Sequence, residues 1–139
     1  MLAMFGTLVI WLLLFVLVVI CSCGYEGDEP PRPYRLRRCE GRQWKEQFPD
    51  VPKDEIRQFL SIFADSFGFR ERDRLKFSPD DRVMDIYNAI YRPMPSVDEM
   101  ELEGFFCRVE DTYSVDVVSG YKTNMTLGTL FRTAIGQKQ

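Results

Sequence analysis

The chain opens on an unbroken apolar run and only later settles into periodic alternation. Met1 to Cys23 carries no charged residue, and Leu8 to Ile20 is apolar on every face a helix could present. A helix at a water interface needs one polar side, so this pattern asks for a lipid surround. From Leu2 to Ile20 a helix would rise roughly 28 Å at about 1.5 Å per residue, close to the roughly 30 Å hydrocarbon thickness of a bilayer. The expectation is a transmembrane anchor over residues 1–23.

Beyond residue 52 the apolar positions recur at helical spacing. Ile56, Phe59, Leu60, Phe63 and Phe67 form one stripe, Asp54 and Glu55 suit a first turn, and Gly68 suits a stop, which predicts a helix over about 53–68. Ser78-Pro79-Asp80-Asp81 combines a capping hydroxyl, a first-position proline and first-turn acids. It predicts a second helix over about 79–91, with the stripe Val83, Ile86, Tyr87 and Ile90, closed by Pro93 and Pro95. Ser96-Val97-Asp98-Glu99 reads as a capping box opening a third helix, whose core face is Leu102, Phe105, Phe106, Val109 and Tyr113. Ser114 to Asn124 reads as a loop with room for one helical turn. Thr126 can cap a last helix carrying Leu127, Leu130, Phe131 and Ala134, stopped by Gly136. The expected fold is therefore all-α: a single N-terminal transmembrane helix plus a small four-helix bundle over 52–136.

Residues 24–51 lack this periodicity. Three prolines and a cluster of arginines between Asp28 and Arg38 predict an extended linker. Arg32, Arg35, Arg37, Arg38, Arg42 and Lys45 all follow the apolar run and no cation precedes it, which places the C-terminal domain in the cytoplasm of a single-pass membrane protein. Arg32, Arg35, Arg37 and Arg38 are also candidates for contact with anionic lipid, although Glu26, Asp28, Glu29 and Glu40 dilute the patch and leave a plain spacer as the other reading. A secretory signal would need a basic leader, which is missing. The alternative anchor is a lipoprotein-type site in Ile20-Cys21-Ser22-Cys23, with Cys23 lipidated.

Composition narrows the chemistry. The 139 residues suit one domain, and 14% aromatic content is enough to build a core. There is no histidine, no glycine-rich phosphate loop and no calcium loop, and adjacent carboxylates such as Asp80-Asp81 point apart on a helix, so neither an enzyme nor a metal site is expected. The four cysteines show no paired spacing: Cys107 is expected as a small core residue, Cys39 as a free thiol, and Cys21 or Cys23 as acylation points. From Val51 onward 12 Lys and Arg face 15 Asp and Glu, which disfavours nucleic acid. The acids concentrate on the third helix, where Asp98, Glu99, Glu101, Glu103, Glu110 and Asp111 oppose the single Arg108; these six are the candidate surface for a basic protein partner.

The order of parts over 52–136 resembles the acyl carrier protein family. A long first helix and a long loop lead to an acidic helix with the run Val109-Glu110-Asp111-Thr112-Tyr113-Ser114-Val115-Asp116-Val117, and a closing helix carries Thr126-Leu127-Gly128-Thr129-Leu130-Phe131. In that family a serine within Asp-Ser-Leu, at the start of the acidic helix, bears a phosphopantetheine arm. In register, Asp98-Glu99-Met100 falls over that motif and puts a carboxylate where the serine belongs. The resemblance thus implies a membrane-anchored, carrier-like domain without phosphopantetheine that docks on a basic partner. The alternatives are an active carrier modified at Ser96, three residues upstream between Pro95 and Val97, or a membrane-anchored helical adaptor unrelated to carriers.

Overall fold

Trp44 is the residue around which the chain closes. The computed structural model describes residues 10–16, 27–91 and 100–136. Within them the α-helices of the domain are α1 (Gly41–Gln47), α2 (Lys53–Ser66), α3 (Val83–Tyr91), α4 (Met100–Tyr113) and α5 (Leu127–Gly136). Short 3-10 turns lie at Tyr34–Leu36, Glu71–Lys76 and Val118–Gly120. The Trp44 side chain, fully buried on α1, lies against Phe48, Phe59 of α2 and Phe131 of α5, with ring centroids 5.9, 6.1 and 5.8 Å away. Its indole N–H donates to the carbonyl of Phe77 at 2.7 Å, so the polar end of the ring is satisfied inside the core.

From this centre the aromatic contacts run on. Phe59 and Phe63 of α2, and Phe67 just past its end, meet Phe105 of α4 at 6.0, 5.3 and 6.0 Å, and Phe63 also meets Phe77 at 5.0 Å. The 3.6-residue period of α2 puts Ile56, Phe59, Leu60 and Phe63 on one buried face, and α4 answers with Leu102, Phe105, Phe106, Val109 and Tyr113. Tyr34 joins from the front of the domain, 5.5 Å from Phe77.

Two backbone bridges tie distant segments together. Asp28 pairs with Phe69: its N–H donates to the Gly68 carbonyl at 2.7 Å, and its carbonyl accepts the Arg70 N–H at 3.1 Å. Gly68 holds φ 69°, and a Cβ on Gly27 would stand 2.5 Å from the Gly68 oxygen, so glycine is required on both sides of this approach. The second bridge joins Arg82 to Thr126, with the Leu127 and Gly128 N–H groups donating to the carbonyls of Asp81 (2.9 Å) and Pro79 (2.8 Å). The Thr126 hydroxyl accepts the Thr129 N–H at 3.1 Å and caps α5.

The structure differs from the sequence expectations at four places. The transmembrane anchor over 1–23, and with it the single-pass membrane placement, is not borne out: no helix among the described residues is long and apolar enough to cross a membrane. Of that segment only residues 10–16, which are helical, are described. The remainder, including Cys21 and Cys23, lies outside the described residues.

The stretch read as a linker over 24–51 is structured in its described part, because Tyr34, Trp44 and Phe48 belong to the core; α1 carries Trp44, and Phe48 follows directly at its end. The helix expected from 79 begins at Val83. Residues 78–82 are committed elsewhere: the Asp81 carboxylate accepts the Ser78 N–H at 2.7 Å, and the carbonyls of Pro79 and Asp81 serve α5. Cys107, expected in the core, is exposed. It sits two residues from both Phe105 and Val109, roughly 200° around the helix, so the phase that buries them turns it outward.

Candidate recognition surface

Helix α4 has one face in the core and one in water. With Leu102, Phe105, Phe106, Val109 and Tyr113 inward, the opposite face presents Met100, Glu103, Gly104, Cys107 and Asp111, all exposed. Met100 is 68% exposed, an apolar side chain open to solvent at the start of the described helix. Nothing lies within 4 Å of where a Cβ on Gly104 would stand, so the helix backbone is approachable there. Glu103 and Asp111 are two turns apart, about 12 Å along the axis.

The six acids proposed for a partner surface separate into three groups. Asp98 and Glu99 lie outside the described residues, as does Ser96, the candidate attachment residue. Glu101 and Glu110 are turned to internal work. Burial, and after it the charge of Glu101 alongside, pushes the Tyr91 hydroxyl up to about 12. The Glu110 carboxylate accepts the backbone N–H groups of Val117 (2.8 Å) and Val118 (2.9 Å), clamping the chain that leaves α4. Just beyond, Ser119 hydrogen bonds hold the Asp116 carboxyl below its ordinary value. Glu103 and Asp111 remain on the open face.

Arg108, the one cation of the helix, pairs with Asp65 of α2. Both side chains of this pair are exposed, so it is a surface contact, and the helix face stays acidic because Glu103 and Asp111 outnumber the one cation. Chemically the face offers an apolar anchor at Met100, two carboxylates and a thiol. Among the described residues no group of Cys, Asp and Glu could hold a metal ion.

The basic stretch is likewise divided. Arg37 donates to both oxygens of Asp81 at 2.8 and 2.7 Å and lies 4.8 Å over the Tyr34 ring, a structural clamp between the front of the domain and the turn before α3. Arg35 pairs with Glu29 at 3.3 Å. Arg32 and Arg38 are exposed. The exposure of Met100 and Cys107 was not anticipated from sequence, although the helical phase of α4 contains the signal for both.

No family model, no curated protein and no solved structure matches this chain.

Proposed function

We propose that this chain is a non-enzymatic helical recognition domain, carrier-like in its order of parts but without a phosphopantetheine arm, that docks on a basic protein surface through the open face of α4. The observation that carries the reading is Met100, an exposed apolar side chain beside Glu103 on a face whose only cation is already paired. An apolar anchor rimmed by acids suits a partner with an apolar pocket in a basic surround, where the charges speed encounter and the anchor supplies affinity. The pairing of α4 with α2 through Phe63 and Phe105 supports the helical part of this reading.

The test has two arms on the full-length chain. Intact mass is measured after incubation with a phosphopantetheinyl transferase and coenzyme A, and no increment is expected. Association with a lysine-rich amphipathic peptide is followed by fluorescence anisotropy; Glu103→Lys with Asp111→Lys is expected to slow it on the order of tenfold and to flatten its salt dependence. A mass gain of one phosphopantetheinyl group, lost in Ser96→Ala, would establish an active carrier instead. Unchanged association by the doubly reversed variant would remove α4 as the docking face.

A further inference from the structure

A second feature has the opposite charge. Between α1 and the first turns of α2 lies an open cavity of about 390 Å³, a size that admits a bulky side chain with its flanking backbone. Its floor is apolar, formed by Ile56 and Leu75. Its rim carries Arg42 and Lys45 from α1 and Lys53 and Arg57 from α2, with no carboxylate in the lining. Two of the cations come from α1 and two from α2, and the same lining holds Ile56 and Leu75.

Their charges remain available. The Lys45 ammonium is held by the carbonyl oxygens of Pro49 (2.6 Å) and Val51 (2.8 Å), which orient it without neutralising it. Arg42 and Arg57 do pair with carboxylates, Glu46 at 2.8 Å and Asp54 at 3.3 Å, but each pair lies within one helix at the surface, where such contacts exchange readily. A bare phosphate would want donors converging on a point, whereas here four cations surround a greasy floor. The matching ligand has an apolar centre with anionic groups on either side.

We infer that this cavity binds a short acidic peptide segment of a partner protein, with one large apolar side chain seated on Ile56 and Leu75 and flanking carboxylates met by Lys45, Lys53, Arg42 and Arg57. The site is separate from the open face of α4 and recognises the opposite charge, so the two surfaces would serve two partners. Cys39 at the cavity edge supplies a reporter: it is an exposed free thiol, and a Cβ on the neighbouring Gly41 would lie 3.4 Å from its sulfur.

The experiment uses the full-length chain and a fluorescein-labelled peptide, Asp-Glu-Asp-Phe-Glu-Asp-Glu, together with a companion in which serine replaces phenylalanine. Saturable binding of the phenylalanine peptide is expected, weakening as salt rises. The exposed pair Lys53→Glu and Arg57→Glu is expected to lower its affinity on the order of tenfold while leaving the far-UV spectrum unchanged. Bound peptide is expected to slow alkylation of Cys39 by iodoacetamide, with the exposed Cys107 as an unaffected internal standard. Equal binding of the serine peptide, equal binding to the charge-reversed variant, or protection of Cys107 in place of Cys39 would overturn the assignment. So would dodecanoate binding where the peptide does not, which would make the cavity a site for small amphiphiles, or self-association abolished by the double variant, which would make the occupant a second copy.

Discussion

Replacing Trp44 by alanine puts the sharpest strain on this reading of the molecule, because it acts on a residue in the stretch that looks like a linker. Trp44 is fully buried, touches aromatic rings from two other helices through Phe59 and Phe131, and satisfies the Phe77 carbonyl. Loss of a large buried aromatic typically costs about 3–5 kcal/mol through transfer and cavity terms. The carbonyl left without its donor adds about 1–3 kcal/mol. Together these approach the whole stability of an ordinary domain, about 5–15 kcal/mol.

Trp44→Phe separates the two contributions, since it keeps a ring in the cavity and removes the N–H; its cost should fall in the lower range of about 1–3 kcal/mol, with a further increment for the smaller ring. Urea melts followed by far-UV circular dichroism measure both. If Trp44→Ala shifts stability by no more than ~0.5 kcal/mol, the range of an ordinary surface substitution, then α1 contributes nothing to the core and the domain starts after it.

Other outcomes follow from particular contacts. Asp81→Ala removes the acceptor for both Arg37 and the Ser78 N–H, and should destabilise by about 1.5–3 kcal/mol in chemical denaturation, the range for hydrogen bonds to charged groups; Arg37→Ala in the same background should add little, because the pair is already broken. Gly128→Ala should cost about 1–3 kcal/mol, since the new Cβ would stand 2.8 Å from the Pro79 carbonyl and 2.9 Å from its Cβ, while Gly104→Ala, with open space around it, should be neutral or stabilising.

Tyr91 is raised from 10.0 to about 12 by burial first and Glu101 second, so its contribution to stability is complete below pH 10 and is lost as pH climbs through the folded value. A phenolate absorbance titration, with Tyr91→Phe as the reference, should place its midpoint near 12, and Glu101→Gln should bring it part of the way back; a midpoint unmoved by Glu101→Gln would show that the carboxylate does not face the ring.

Much of the helical frame is a property of the local sequence. The buried stripe of α2 is the one its spacing predicts, from Ile56 to Phe67, and the inward face of α4 and the cap at Thr126 are equally local, since a helix repeats every 3.6 residues whatever it packs against. The resident polar patterns were legible as composition, so the acidity of α4 was visible; which acids stay available was not. Glu110 is spent on the amides of Val117 and Val118, and Arg108 meets Asp65 at the surface, and both outcomes depend on where the chain goes after the helix and on which neighbour it meets.

The larger departures have the same origin. Seven residues on α1 hold no long apolar period, so nothing local distinguishes Trp44 from a tryptophan in a loop; it becomes central only because Phe59, Phe131 and the Phe77 carbonyl, up to 87 positions away, converge on it. The proline-rich stretch reads as extended for a sound local reason, yet Arg37 crosses 44 positions to reach Asp81, and that single contact joins the stretch to the turn before α3. The cationic cavity lies in the same blind spot. Arg42, Lys45, Lys53 and Arg57 are ordinary surface cations when read along the chain, and only the fold of α1 against α2 and Leu75 gathers them around one apolar floor. Periodicity is short-ranged and sequence carries it in full; convergence of distant side chains is set by the packing of helices, and that is decided in three dimensions.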